Sequence, residues 1–235
     1  MNDEKNQNAL RRFRLMQGFV LSVLLQCITA LLYRIPYLHA AALDPAVFNV
    51  KLPAVDDLIP VVPIFFFGYI WSYVYWFFAP FFIIRTGRKK TWEFIVSYTV
   101  VLLICSLIMY GFPTKIDRVA EGLWEPYQSG FFWDLLHICY NVDGGSVSYD
   151  LLPSMHCANC VLYCLALRDE HIPKKIRTAS LLSAILVIVS TLLTKQHYFL
   201  DAVTGVLIPL LVTPVVVSTV RLLRQAACKE APDGK

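Results

Sequence analysis

The sequence predicts an all-α integral membrane protein: a six-transmembrane-helix bundle with a short interfacial helix in the outer loop before helix four. Three observations carry that prediction. Of the 235 residues, 57% are hydrophobic and only 16% are charged, against roughly a quarter charged in an ordinary soluble domain. Six stretches run free of charge, at 15–33, 58–84, 94–114, 151–167, 178–194 and 202–220. Finally, the basic residues alternate between the two sides that six crossings define. The net charge of +4 is too small for a nucleic-acid binder with a basic face.

Each window follows from the solvent. Crossing a hydrocarbon core of roughly 30 Å takes about 20 residues at 1.5 Å of rise, and a mid-helix charge costs about 2.5 to 3.5 kcal/mol. Window one follows Arg11, Arg12 and Arg14 and precedes the cleavage-like Ala40-Ala41-Ala42, but it is too long for a signal-peptide core and reads as a retained helix. The second and third windows are ample. The fourth and fifth are short, so neighbouring helices must help to hold them. In the sixth, Pro209 and Pro214 predict a kink, and Thr204 with Gly205 permits close helix contact.

Cytoplasmic loops carry the excess of Lys and Arg. With the N-terminus inside, the segments 1–14, 85–90, 168–177 and 221–235 hold 16 of the 21 basic residues, four each, and only Arg34, Lys51, Lys115, Arg118 and Lys195 lie outside. Both termini are therefore expected in the cytoplasm. The chain divides into cytoplasmic tails at 1–14 and 221–235, read as frayed, around one membrane domain at 15–220. The long outer loops, 34–57 and 115–150, have room for function. Within the second, residues 122–140 carry Trp124, Tyr127, Phe131, Phe132 and Trp133, with Leu135, Leu136 and Cys139 continuing at helical spacing. That pattern predicts an amphipathic surface helix, the alternative being a loop with interfacial aromatics.

Ionisable groups near a membrane are functional candidates. His39, His137 and His171 fall in loops or on the surface helix and read as solvated or interfacial. His156 and His197 each sit at the outer mouth of a membrane helix. The first follows Pro153 and Ser154 at a helix start, where backbone N–H groups lie open to an anion. The second precedes Asp201 by four residues, on one helix face. An aspartate so placed can hold one ring nitrogen's proton and leave the other nitrogen free to attack. Six crossings bring Lys115, Arg118, Ser154, His156, Lys195, His197 and Asp201 to one outer face. Two imidazoles, a carboxylate, cations and an open helix start suit phosphoryl transfer through a phosphohistidine. The plainer reading is that both histidines only hydrogen-bond between helices. Cys157 and Cys160 form a Cys-x-x-Cys beside His156, but with no second pair they read, with Cys164, as a small-residue packing face rather than a zinc or redox site.

At these residues the sequence resembles the type-2 phosphatidic acid phosphatase superfamily of membrane lipid phosphatases and phosphotransferases. Pro153-Ser154-Met155-His156 is similar to the family's Pro-Ser-Gly-His, with a Met-for-Gly swap common in a short bacterial-type branch. Ser190 with His197 and Asp201 matches its third motif, Ser-Arg, five residues, His, three residues, Asp. The resemblance, which spans about residues 112–205, implies that His197 is the nucleophile, Asp201 its orienting partner, His156 the acid for the leaving oxygen, and Ser154 a phosphate ligand. Thr191 stands where the family has Arg, with Lys195 a candidate replacement one turn later. The family's first basic motif is absent as such. Lys115 and Arg118 in Phe112-Pro113-Thr114-Lys115-Ile116-Asp117-Arg118 are carried into its place.

The expected activity is therefore hydrolysis of a phosphomonoester or pyrophosphate lipid at the outer face of a membrane, expected to be the plasma membrane. It would use no metal and no cofactor, with lipid as substrate, the bilayer as surroundings and no nucleic-acid partner. One alternative is phosphotransfer to an alcohol, as in sphingomyelin and inositol-phosphorylceramide synthases, which also lack the third-motif arginine. Another is a non-enzymatic transporter or scaffold, although repeats and midplane charges typical of transporters are not evident.

Overall fold

The computed structural model describes residues 2–44, 47–124, 128–149 and 151–230. Tyr127 of the aromatic run and the last five residues of the C-terminal segment lie outside them. Helices form at all six predicted windows: α1 (Asn2–Leu43), α3 (Phe66–Ile83), α4 (Arg88–Gly111), α6 (Met155–Leu167), α7 (Lys174–Leu193) and α8 (Phe199–Glu230). Five of them are long and apolar enough to cross a membrane. The exception, α6, has 13 residues, a rise of about 20 Å. A four-residue helix α2 (Pro53–Asp56) lies in the first long loop.

The ends differ from expectation. The segments read as frayed tails are helical: α1 starts at Asn2 and continues through Pro36, and α8 runs through Pro209 and Pro214 to Glu230. Within a transmembrane bundle, neighbouring groups re-satisfy the backbone that a proline frees, so the helix continues.

Helix α6 is the hub. It packs against α3, α4, α7 and α8, while α1 packs on α3 and α4. Its Tyr163 packs into an aromatic core with Trp76, Phe94 and Tyr98. Outward-facing Leu31, Leu107, Leu182, Leu211 and Val215 are all exposed, the surface that acyl chains cover. At one end of the bundle the basic segments lock together, Lys90 with Asp169 and both Arg221 and Arg224 with Glu93. At the other end lie the N-termini of α6 and α8 and the two long loops.

The second long loop is more structured than a surface helix alone. Two short strands, β1 (Lys115–Asp117) and β2 (Val147–Tyr149), pair antiparallel, with Ile116 opposite Ser148. Between them the amphipathic helix is α5 (Phe131–Val142), shorter than the 122–140 span. It starts only after Gly130, whose φ of 129° is non-helical and open to glycine. Thr114 Oγ1 accepts from the backbone N–H groups of Leu151 and Leu152 at 2.9 and 3.1 Å, which ties the ribbon to the start of α6. These strands carry no alternating hydrophobic run long enough to signal them in sequence.

Candidate active site

Two helix starts converge beneath the ribbon and α5. Ser154 caps α6, its Oγ accepting the Cys157 N–H at 3.3 Å, as a serine before a helix should. Its backbone N–H donates to Asp201 O at 2.9 Å, which fixes α6 directly to α8. The close approach depends on Gly205: a Cβ there would lie 2.4 Å from Ser154 O and 3.0 Å from Cys157 Cβ. Cys157 and Cys160 are buried free thiols, and Cys160 Sγ accepts the Trp76 indole N–H at 3.3 Å, consistent with a packing face.

This geometry brings His156 and His197 to 5.8 Å between ring centroids. His197 turns Nδ1 toward Asp201 Oδ2 at 3.7 Å, and the same oxygen accepts the Tyr198 backbone N–H at 2.8 Å. Asp201 is thus held in place before it acts on the imidazole, whose Nε2 is left on the side away from the carboxylate. His156 sits among aromatic rings, with Tyr69 at 4.5 Å and Trp76 at 5.1 Å, and its Nε2 has no hydrogen-bond partner among the described residues. Helix stitching fails to describe these histidines, because no hydrogen bond from either ring to another helix is present among the described residues.

Both rings line a cavity of about 180 Å³. Asp143, Asn159 and Gln196 also line it, and sequence reasoning missed all three. Asn159 lies three residues after His156, on the same face of α6, and its buried amide has no partner among the described residues; that spacing could have identified it. Asp143 reaches the cavity only because of the turn between α5 and β2, for which the sequence carries no signal. Burial pushes its carboxyl above the usual range, while Arg118 and His197 pull it back.

The cations are placed differently from one another. Lys115 lies on the rim and pairs with Asp44, outside the cavity. Lys195 Nζ donates to Asp56 O at 2.5 Å, and burial lowers the pKa of its ammonium; its φ of 49° places it in the left-handed conformation that ends α7. Arg118 is fully buried. Its guanidinium donates to Gln196 Oε1 at 2.7 Å and Gly145 O at 2.5 Å, lies 3.4 Å from Asp143 Oδ2, and stacks 4.3 Å from the Tyr140 ring centre. These contacts hold the turn that presents His197: Tyr140 OH donates to Thr194 O at 2.5 Å, and Gln196 and His197 N–H groups donate to Thr191 O. Thr191, where the family pattern has arginine, is a buried residue shaping this turn.

That division of labour is testable. Lys115→Ala should leave turnover within about twofold, since an exposed ion pair contributes roughly 0 to 1 kcal/mol. Arg118→Ala strips a buried network and should lower stability by about 3 kcal/mol and turnover far more than Lys115→Ala. Melting curves and steady-state rates on both variants check the contrast.

A family model described as the PAP2 superfamily matches residues 54–215, a span that includes His156, His197 and Asp201. No curated protein and no solved structure gives a significant match.

Proposed function

The chain belongs to the PAP2 superfamily, a superfamily of phosphatases and related phosphotransferases, and from that premise we propose that it hydrolyses a lipid phosphomonoester or pyrophosphate through a phosphohistidine on His197. The observation that carries the reading is the pairing of His156 and His197 across one cavity, 5.8 Å apart, with Asp201 behind His197. In the first step His197 Nε2 attacks phosphorus, the bond from phosphorus to the lipid oxygen breaks, and His156 gives that oxygen a proton. In the second, water attacks the phosphohistidine, its proton passes to His156, the P–N bond breaks and phosphate leaves. Asp201 holds the Nδ1 proton throughout, and supports the imidazolium character that develops. The open N–H groups at the Ser154-capped start of α6 are suited to the phosphoryl oxygens. The distribution of Lys and Arg favours termini in the cytoplasm and a site on the opposite face of the membrane, which suits a substrate in the outer leaflet of a plasma membrane.

Two observations favour a second reading. Thr191 replaces the third-motif arginine, as in the synthases that pass a phospho-headgroup to an alcohol, and among the described residues the cavity lining includes Asn159, Gln196 and Asp143 but no lysine or arginine. A carboxylate there could orient an acceptor hydroxyl. The two readings separate by product: labelled lipid phosphate should release inorganic phosphate in water, and added diacylglycerol or ceramide should leave that yield unchanged. Label appearing in a new lipid only when the alcohol is present would establish transfer instead.

A further inference from the structure

We infer that the groove between α6, α7 and α8 binds an anionic phospholipid of the leaflet farther from the histidines, its phosphate held by Arg168 and Arg177. The groove encloses about 640 Å³ and is lined by Val161, Leu181, Ile185 and Leu210 with those two arginines. Its shape follows from packing: α7 and α8 each lie along α6 but touch one another little, so α6 forms a floor between two splayed walls. Leu181 and Ile185 are each 50% exposed, so the groove opens sideways to the acyl chains.

The charge at its end selects the occupant. Neither guanidinium has an ion-pair or hydrogen-bond partner among the described residues. The neighbouring acid, Asp169, is already bound to Lys90 and His171, and Glu170 is exposed in the same turn. Two unpaired arginines where apolar helices end form a fork for phosphate oxygens, and a basic pocket between membrane helices at headgroup level is suited to an anionic lipid. A zwitterionic lipid carries its own ammonium and gains less from the pair.

The test uses the full chain, purified in mild detergent and offered phosphatidylglycerol or phosphatidylcholine, with bound lipid counted by native mass spectrometry. Phosphatidylglycerol should be retained in preference to phosphatidylcholine. The double variant Arg168→Gln and Arg177→Gln, which keeps a polar side chain but removes the charge, should lose on the order of tenfold or more in retention. Lys174→Gln with Lys175→Gln, an equal change of charge outside the groove, should retain the lipid. Ile185→Trp, which fills the apolar part and spares both arginines, should displace it, so a folding defect in one variant leaves the other decisive. Equal retention of the two lipids, unchanged retention in the arginine double variant, equal loss from the lysine pair, or a dimer whose interface is this groove would each overturn the inference.

Discussion

His197→Ala should lower turnover of a lipid phosphate by at least about 10⁴-fold, the scale on which loss of an activated nucleophile acts in comparable triads, and leave the protein monodisperse and helical. The fold should tolerate the change, because among the described residues the ring's polar contact is with Asp201 at 3.7 Å, while the turn around it is held by backbone groups of Thr191 and by Arg118. Asp201→Asn should cost nearly as much, since an amide presents an N–H where the imidazole needs an acceptor and so inverts the tautomer. The two variants are distinguished by trapping: brief exposure to phosphate-labelled substrate and an alkaline quench should reveal acid-labile label on the wild-type chain, little on Asp201→Asn and none on His197→Ala. Near-normal turnover by His197→Ala would remove the nucleophile assignment.

The second large effect is structural. Gly205→Val should destabilise the bundle by about 3 kcal/mol and abolish activity, although residue 205 is not among those lining the cavity. A Cβ at that position would sit 2.4 Å from a backbone oxygen of the α6 cap, which no rotamer change relieves, and overpacking of this kind typically costs 1 to 3 kcal/mol. The required shift separates α8 from α6, hence His197 and Asp201 from His156, and opens the Ser154-to-Asp201 backbone bond. Gly205→Ala should be intermediate. Thermal unfolding in detergent, read beside turnover, checks the order Gly, Ala, Val; a Val variant that melts with the wild type would show that the helices are not in contact there.

Much of this arrangement is legible in the sequence because membranes simplify the problem. With no water to satisfy the backbone, each uncharged window had to become a helix, and the windows at 58–84, 94–114 and 178–194 match α3, α4 and α7 with ends that differ by at most eight residues. Counting crossings then brought His156 and His197 to the same end. The cations were less legible, because a lysine's role depends on which partner reaches it. Lys195 finds the carbonyl of Asp56, 139 positions away, and Arg118 finds Gln196 across 78. Both pairings arise from the folding of the long loops over the bundle, where no period in the sequence constrains the chain. Asp143 and Gly145 enter the site for the same reason, through a ribbon of three-residue strands.

The 13 residues of α6 also set the depth at which the site lies. A rise of about 20 Å separates the histidine end from Arg168, some 10 Å less than an average hydrocarbon core. Longer helices surround α6, so on the proposed function the substrate meets the mismatch: its phosphorus would descend below the plane of its neighbours' headgroups, at a modest elastic cost for each ångström. On that function, turnover should depend on the thickness of the host membrane, which sterols and long saturated chains increase, with thin membranes requiring the least displacement of the substrate.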